Sequence, residues 1–346
     1  MSQLTDTQAQ ADLPLPFVLM QMVTGYWVSQ SIYAAAKLKI ADFLKDDAKS
    51  YEELAKATNT HARSLYRLLR ALASVGIFAE TQPGYFALTP LADYLQSERQ
   101  DSLNAIAILF GEEEYYSWKD IIYSLQTGNS AFEHLYGMNI FEYHAQNPER
   151  AKLFDQAMTS FSTLENAGVV LDYDFSGIET LVDVGGGNGK LISDILKVNP
   201  HMEGILLEQA SVTEGAKYLI ETAELSDRCK VFVGNFFEFV PSDGDAYILK
   251  HIIHDWDDES AIAILKTCHS AMSENDKLLI VEQVIPPGNH SFPGKLLDLQ
   301  MLIMCPGGCE RTEEEYRSLL QKSGFELVKV VPTRSPISVI EAVPKL

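Results

Sequence analysis

The chain has 346 residues, 46% of them hydrophobic, with a mean hydropathy of −0.04 and a formal net charge of −21 at pH 7. This length allows two or three globular domains. The strong negative charge argues against a nucleic-acid partner, because phosphate binding requires a basic surface. The sequence has no run of 18 apolar residues and no secretory signal pattern, so we expect no membrane partner and a cytoplasmic location. The four cysteines form no C-x-x-C pair, which predicts free thiols.

The N-terminal part is predicted to pair with a second copy of the chain. Residues 1–16 are expected to form a flexible tail, because they are mostly polar. From about Phe17 to Tyr33 the sequence predicts one helix that is apolar over much of its surface. A helix of this kind is either buried or paired with another subunit. We therefore expect a homodimer, with residues 17–100 forming the dimerisation domain.

Short helices and a hairpin are predicted in the rest of that domain. A capping-box pattern begins a helix at Ser50, a second helix is predicted from His61 to Val75, and two short strands flank a turn at 82–84. Helices followed by a hairpin indicate a winged-helix-like domain. The second helix carries three arginines, which would suit DNA binding, but the net charge of the chain favours a scaffold.

Residues 101–346 are predicted to form a catalytic domain that begins with a helical segment over 102–170. This segment is rich in aromatic residues. Most of them should belong to the core, and some could line a pocket for a flat apolar acceptor. Phe154 and Met158 lie four residues apart, so on a helix they share one face.

A glycine-rich stretch, LVDVGGGNGK over residues 181–190, dominates the second half of the chain. It has the order strand, glycine turn, helix, which begins a doubly wound nucleotide-binding unit. Glycines there allow the backbone to approach a ligand closely. The dinucleotide pattern G-x-G-x-x-G fails, because Lys190 stands in the third glycine position. Asp183, two residues before the first glycine, suits a ligand with positive groups, such as the ammonium and sulfonium of S-adenosylmethionine (SAM).

Alternating strands and helices follow this loop. Strands are predicted at 204–207, 230–233, 245–249 and 277–281, and an antiparallel pair at 326–331 and 338–343. The series predicts a Rossmann-like α/β fold with the seven-stranded sheet common to SAM enzymes. In such sheets ligands bind beyond the carboxyl ends of the strands. The polar residues predicted at or just past these ends are Glu208, Asn235, His254 and Glu282.

His254 is the candidate for a catalytic base. It lies in the stretch KHIIHDWDDE, which follows the fourth strand, where the order of the sheet should reverse. A phenol with a pKa of about 10 is mostly protonated at neutral pH, so methyl transfer to its oxygen benefits from a base such as histidine. Glu282 and Glu310 are two carboxylates that could orient the ring. We interpret His251 as structural, and since no cluster of metal ligands is evident we expect no metal.

Several motifs together resemble one family. In chain order they are VDVGGGNG, LLEQASV, VGNFFE, LKHIIHDWDDE, IVEQVIPP and GGCERTEEEYRSLLQKSGF. The set resembles the plant and bacterial small-molecule O-methyltransferases of the caffeic-acid type, which have an N-terminal dimerisation domain. The resemblance covers the chain from about Phe17 to its end. It implies SAM-dependent transfer of a methyl group to a hydroxyl of a phenolic or enolic small molecule.

The resemblance also implies roles for individual residues. His254 matches the general base of the family, and Glu282 and Glu310 match the two acids that flank it. The implied acceptor-binding positions are Phe154, Met158 and Asp255. The implied SAM-binding positions, from the amino-acid end of the ligand to its adenine, are Asp183, Gly185, Gly187, Glu208, Asn235, Phe236 and Lys250, the last through its backbone.

Three positions depart from the family pattern. Glu208 stands where the family usually has Asp, which keeps the charge on a longer side chain. Asn235 also replaces an Asp, and its amide oxygen can still accept a hydrogen bond. Cys309 stands where the family usually has Lys, directly before Glu310, which bears on the acceptor pocket.

Other functions stay open at this point. A SAM-binding relative could methylate nitrogen, decarboxylate or hydroxylate, although the retained base and its two acids favour transfer to oxygen. A SAM-sensing DNA-binding regulator would need a basic surface, which the net charge opposes. An NAD oxidoreductase would need the dinucleotide pattern that the glycine loop lacks.

Overall fold

Two units divide the chain after Glu112. The computed structural model describes residues 13–99, 101–210 and 212–345. The first unit includes a helix at Asn104–Leu109, which packs on a helix at Gly25–Lys37, and the bounds of the predicted dimerisation domain, residues 17–100, stay a prediction. Most of the predicted tail, residues 1–12, lies outside the described residues.

The first unit contains helices and one small sheet. Its strands form a three-stranded antiparallel sheet in the order β1-β3-β2, and its elements agree with the predicted helices and hairpin. The winged-helix comparison stays a prediction. The helices are α1 (Leu15–Val23), α2 (Gly25–Lys37), α3 (Ile40–Phe43), α4 (Tyr51–Thr58), α5 (Ala62–Ser74), α6 (Pro90–Asp93) and α7 (Asn104–Leu109). The strands are β1 (Lys49–Ser50), β2 (Phe78–Gln82) and β3 (Tyr85–Leu88).

The apolar N-terminal stretch is two helices rather than the one predicted. The hydroxyl of Thr24 donates to the carbonyl of Met20 at 2.8 Å, and Gly25, a poor helix former, begins α2. Large apolar side chains on both helices are exposed, Trp27 by 61%. A surface of this kind on an isolated chain marks an interaction site. The exposed set is Leu15, Phe17, Leu19, Met20, Met22, Val23, Tyr26, Trp27 and Val28.

The second unit contains the predicted seven-stranded sheet. Its strand order is β6-β5-β4-β7-β8-β10-β9, in which β4 to β8 are parallel and β10 is antiparallel to both of its neighbours. The order therefore reverses between β4 and β7, as predicted. The strands are β4 (Thr180–Val184), β5 (Glu203–Glu208), β6 (Cys229–Val233), β7 (Ala246–Lys250), β8 (Lys277–Glu282), β9 (Phe325–Pro332) and β10 (Ser338–Pro344).

Helices precede the sheet and alternate with its strands. Together with α7 of the first unit, α8 to α12 account for the helical segment that the sequence predicts over residues 102–170. The helices are α8 (Glu113–Trp118), α9 (Ile121–Thr127), α10 (Ala131–Tyr136), α11 (Ile140–Gln146), α12 (Pro148–Asp172), α13 (Lys190–Val198), α14 (Thr213–Thr222), α15 (Asp258–Ala271), α16 (Gly294–Met304) and α17 (Glu313–Lys322). Among the described residues, none of the helices has the length and apolar character that crossing a membrane requires.

Both faces of the sheet are covered. Leu181 of β4 belongs to one buried cluster and its neighbour Val182 to another, because successive side chains of a strand point to opposite faces. Strands buried on both faces are nearly continuous apolar runs. Two acidic residues interrupt these apolar runs near the carboxyl ends of the strands, Asp183 of β4 and Glu282 of β8. Both are buried, and they mark the edge of the sheet where the candidate site lies.

Candidate active site

A histidine and three carboxylates are buried at the carboxyl ends of neighbouring strands. Asp183 is near the end of β4, Glu282 ends β8, and His254 lies in a 3₁₀ turn, Ile253–Asp255, just after β7. Glu310 lies in the loop before α17 and is also buried. Burying charged groups is costly unless they are paired or bind a ligand. The structure thus brings together the three residues predicted to be catalytic, with Asp183 on the central strand of the same edge.

The ring of His254 is surrounded by carboxylates. Its Nδ1 lies 2.6 Å from Oε1 of Glu310, and its Nε2 lies 3.6 Å from Oδ1 of Asp255. Oε2 of Glu282 is 4.0 Å from Nδ1. Burial alone would lower the pKa of His254, but the charges of Glu282, Asp255 and Glu310 outweigh it and raise that pKa to about 10. Because a carboxylate only accepts, Nδ1 donates to Glu310, which leaves Nε2 to exchange the proton.

Glu282 and Glu310 have different contacts, which the sequence could not distinguish. Oε1 of Glu282 accepts from the backbone N–H of Ile253 at 2.8 Å and of His254 at 3.2 Å. Its Oε2 accepts from the hydroxyl of Tyr316 at 2.9 Å. Glu282 therefore braces the turn that carries the histidine, whereas Glu310 contacts the imidazole itself.

Arg311 is a second brace, and the sequence analysis did not single it out. Its guanidinium is buried and donates to the carbonyls of Ile253 at 3.1 Å and Trp256 at 3.0 Å. It also donates to the carboxylate of Asp258 at 2.9 Å. Arginine presents several donors in a rigid plane, so one side chain can fix both ends of the 3₁₀ turn. Its position directly after Glu310 was the available signal.

The glycine loop forms a tight backbone cradle beside Asp183. Gly185 has φ +72°, and a Cβ at Gly186 would come within 2.3 Å of Oδ2 of Asp183. That Oδ2 is buried without a hydrogen-bond partner in the described part of the chain. Burial, reinforced by the charge of Glu208, raises the pKa of Asp183 to about 7. The carboxylate of Glu208 accepts from the N–H of Gly187 at 2.9 Å, so the structure joins these two predicted positions.

The other predicted SAM-binding residues differ in their exposure and in the contacts that their side chains make. The ring of Phe236 would lie 3.3 Å from a Cβ at Gly185, so it borders the cradle. Asn235 is exposed, and its amide oxygen accepts from the N–H of Phe237 at 3.1 Å, which uses that oxygen locally. The side chain of Lys250 contacts α12 rather than a ligand position, for example Ser162 at 3.1 Å.

The predicted acceptor residues lie on α12 and beside the histidine. Phe154 and Met158 are both half-buried on α12, and the ring of Phe154 lies 4.5 Å from that of His144. Asp255 accepts from the thiol of Cys305 at 3.5 Å. Cys309 contributes through its backbone, since its N–H donates to the carbonyl of His254 at 2.8 Å.

Glu114 is a further buried acid that the sequence analysis missed. Its Oε2 accepts from the side-chain amide of Gln300 at 2.5 Å, and Gln300 in turn accepts from the indole N–H of Trp118. Burial raises the pKa of Glu114 to about 8, and the charge of Glu113 adds to this effect. The carboxyl group is therefore mostly protonated in the folded chain at neutral pH.

Glu114→Gln is expected to stabilise the protein at pH 8 and to change little at pH 5. Between the ordinary pKa and about 8 the folded state holds a proton that the unfolded state releases, so unfolding becomes easier as pH rises. The effect is a few kcal/mol, since one pKa unit corresponds to about 1.4 kcal/mol. Thermal unfolding across pH 5–8 measures it, with the exposed Glu274→Gln as control. Parallel profiles for wild type and Glu114→Gln would contradict the expectation.

Comparison with known proteins shows the family to which the chain belongs. Residues 115–326 match the family model described as an O-methyltransferase domain, and residues 20–98 match the O-methyltransferase dimerisation domain. The chain is 46% identical over 341 residues to a phenazine O-methyltransferase of Lysobacter antibioticus, covering 99% of this chain and 100% of that protein. A phenazine-1-carboxylate N-methyltransferase of Pseudomonas aeruginosa is 31% identical over 314 residues, covering 90% of this chain and 92% of that one.

Solved structures give the same result. The crystal structure of LaPhzM superimposes with a TM-score of 0.93 at 46% identity, covering 96% of this chain and 100% of that one. The O-methyltransferase NcsB1 from neocarzinostatin biosynthesis, in complex with SAM and 2-hydroxy-5-methyl naphthoic acid, has a TM-score of 0.80 at 30% identity, covering 91% and 95% of the two chains. With its Rossmann-like sheet and its dimerisation domain, the chain belongs to the SAM-dependent O-methyltransferases.

Proposed function

We propose that this enzyme methylates a hydroxyl group of a phenolic or enolic small molecule, with His254 as the general base. The observation that supports this proposal best is the 2.6 Å contact between Nδ1 of the buried His254 and Glu310, at the carboxyl end of the sheet. A carboxylate on Nδ1 selects the tautomer in which Nε2 is the proton acceptor. The same arrangement stabilises the imidazolium that forms.

The residues at the glycine loop fit SAM. The cradle at Gly185 and Gly186 leaves no room for side chains, and the unpartnered Oδ2 of Asp183 borders it. Carboxylates suit the positive groups of this ligand. Bound SAM supplies a methyl group already activated on a sulfonium. We propose that it is held by Asp183, Gly185, Gly187, Glu208, Asn235, Phe236 and the backbone of Lys250.

The chain itself contributes alignment and proton removal. The reaction is an in-line displacement, so holding the two reactants in line supplies much of the acceleration. Nε2 of His254 accepts the hydroxyl proton while the acceptor oxygen bonds to the methyl carbon, and the electron pair of the broken carbon–sulfur bond stays on sulfur. Glu310 offsets the positive charge that the ring gains, and Glu282 keeps the turn in place. Phe154, Met158 and Asp255 are proposed to position the acceptor.

A metal ion is a competing interpretation of the same cluster. His254, Glu282 and Glu310 each offer one ligand atom, and these atoms lie within 4.8 Å of one another. Both oxygens of Glu282 already accept hydrogen bonds, and one oxygen of Glu310 is bonded to the histidine. The other oxygen of Glu310 has no hydrogen-bond partner in the described part of the chain, but a metal that Glu282 also bound would compete with the hydrogen bonds of Glu282 that hold the turn. We therefore propose a base without a metal.

Labelling with SAM that carries a trideuteromethyl group tests this function. The protein is incubated with a panel of phenols, catechols, enols and aromatic amines, with and without EDTA, and products are read by mass spectrometry. Label on oxygen that persists in EDTA is the expected result. Label only on nitrogen would contradict the proposed acceptor class, and activity lost in EDTA and restored by Zn²⁺ would contradict the metal-free base.

We also propose that the chain is a homodimer through α1 and α2. Support comes from the match to the dimerisation domain and from the exposed apolar side chains of both helices. Light scattering is expected to give about twice the chain mass of 38.5 kDa. Replacing Leu19 and Trp27 with Asp should shift the mass to one chain, whereas Tyr218→Asp, an exposed position on α14, should not. A wild-type mass of a single chain would exclude the dimer.

A further inference from the structure

A buried charge network joins α12 to the end of β7. Oε2 of Glu165 lies 3.1 Å from the ammonium of Lys250 and 2.8 Å from Nε2 of His251. Both the acid and the lysine are almost fully buried, with side-chain exposures of 9% and 6%. Lys250 also donates to Ser162 and Asn166 of α12, each at 3.1 Å. One carboxylate on α12 therefore binds two consecutive residues at the strand end that precedes His254.

The network holds Glu165 in its charged form. Burial opposes ionisation, but the contacts of Glu165 with His251 and Lys250 outweigh it and lower the pKa of Glu165 to about 2. Removing one member of a buried ion pair leaves the other charge uncompensated, which destabilises a fold strongly. Glu165 therefore supports both Lys250 and His251, and of these two His251 contacts the ring of His254.

His251 is strained, and its ring lies against that of His254. Its φ of +53° is in the left-handed region, which a residue with a side chain adopts only at an energetic cost. Such a conformation persists only where its surroundings hold it. Here the backbone N–H donates to the carbonyl of Val281 at 3.2 Å, and Nε2 donates to Glu165. The two imidazole rings are 4.8 Å apart and 29° from parallel.

We propose that Glu165 is a positioning residue for methyl transfer, because it holds His251 against the ring of His254. Glu310 fixes His254 at Nδ1, and the stacked His251 fixes the plane of the ring, so that Nε2 keeps one direction. The same carboxylate ties this stack to α12, which carries Phe154 and Met158. The expected effect of Glu165 on the rate of methyl transfer rests on the proposed function. The expected effect of Glu165 on the position of the two imidazole rings does not rest on it.

Two variants separate positioning from stability. Glu165→Leu removes the anion and leaves Lys250 unpaired, so both the melting temperature and kcat should fall. Glu165→Leu with Lys250→Met removes both charges, which should restore much of the melting temperature. We expect kcat to stay about tenfold below wild type in both, with KM for SAM changed less than twofold. Asp172→Asn is the matched control. Asp172 lies on the same helix as Glu165, and this substitution removes its ion pair with Arg334, but kcat should stay at the wild-type value.

NMR of protein labelled at histidine carbons gives a readout that does not depend on any acceptor. A stacked ring shifts the ring protons of its neighbour upfield, so the His254 signal, assigned with His254→Gln, should move downfield in Glu165→Leu and in the double variant. An unmoved signal, or a kcat that recovers together with the melting temperature in the double variant, would overturn the proposal. If wild type labels no acceptor while the signal moves as expected, the proposed function fails and the positioning of the ring stands.

Discussion

His254→Ala is expected to lower kcat for methyl transfer by about 10²–10⁴-fold, the usual contribution of a general base. The side chain lies against Glu310 and is separate from the glycine cradle, so SAM should still bind. Calorimetry with SAM and initial rates by mass spectrometry measure the two properties on one preparation. Turnover within a few-fold of wild type would remove His254 from the proton transfer.

The pH dependence of the wild-type enzyme gives an independent check on the proposed role of His254 as the base. The surrounding carboxylates raise the pKa of His254 to about 10, so the ring of the free enzyme holds its proton through neutral pH. Only the neutral ring can accept a proton. We therefore expect kcat/KM to rise with pH above 7, with a midpoint well above the ordinary histidine value of about 6.5. His254→Ala should lose this rise, and a wild-type midpoint near 6.5 would contradict the charge arrangement around the ring.

The architecture of the second unit could be predicted from local pattern. Each central strand is a short, nearly apolar run followed by a helical period, and such alternation specifies parallel strands with helices on both faces. The antiparallel final pair was predicted from two further runs joined by a short connection. The predicted reversal of the strand order at the fourth strand is confirmed, because β7 lies on the side of β4 opposite to β5.

The first unit shows where local pattern fails. The apolar run from Phe17 to Tyr33 has no residue that excludes a helix, so a single helix was the simplest prediction. The break at Thr24 coincides with hydrogen bonds from its hydroxyl to the carbonyls of Met20 and Gln21 and with the low helix propensity of Gly25. The packing of α7 on α2 is likewise a contact between distant parts of the sequence, which no local pattern encodes.

From the sequence, the positions of site residues could be predicted only for those that lie at the ends of strands. Residues at the carboxyl ends of parallel strands must lie at one edge, which predicts from the sequence that Glu208, Asn235, His254 and Glu282 line this edge. The partners of these residues come from far along the chain. Glu165 is 86 residues from His251, and Arg311 is 58 residues from Ile253. No local period encodes such pairs, so the supporting network required the structure.

Glu310→Gln is expected to lower kcat by roughly 10²–10⁴-fold with little change in melting temperature, in analogy with the acid of a catalytic triad. The amide can donate to Nδ1 of His254, which would place the ring proton on Nε2 and remove the acceptor for the hydroxyl proton. It also removes the charge that offsets the imidazolium. The backbone N–H of Glu310 still donates to Asp298 at 2.9 Å, so the loop should keep its shape.

Glu282→Gln is the variant to compare with Glu310→Gln. For Glu282→Gln we expect a larger loss of melting temperature and a smaller loss of kcat. Both oxygens of Glu282 accept hydrogen bonds, and an amide has only one oxygen, so either the backbone of the turn or the hydroxyl of Tyr316 loses its acceptor. A buried group left unsatisfied costs about 1–3 kcal/mol. The melting temperature should therefore fall by a few degrees, and kcat should fall less than in Glu310→Gln. A larger kcat loss in Glu282→Gln than in Glu310→Gln would mean that Glu282 is the acid that supports the base.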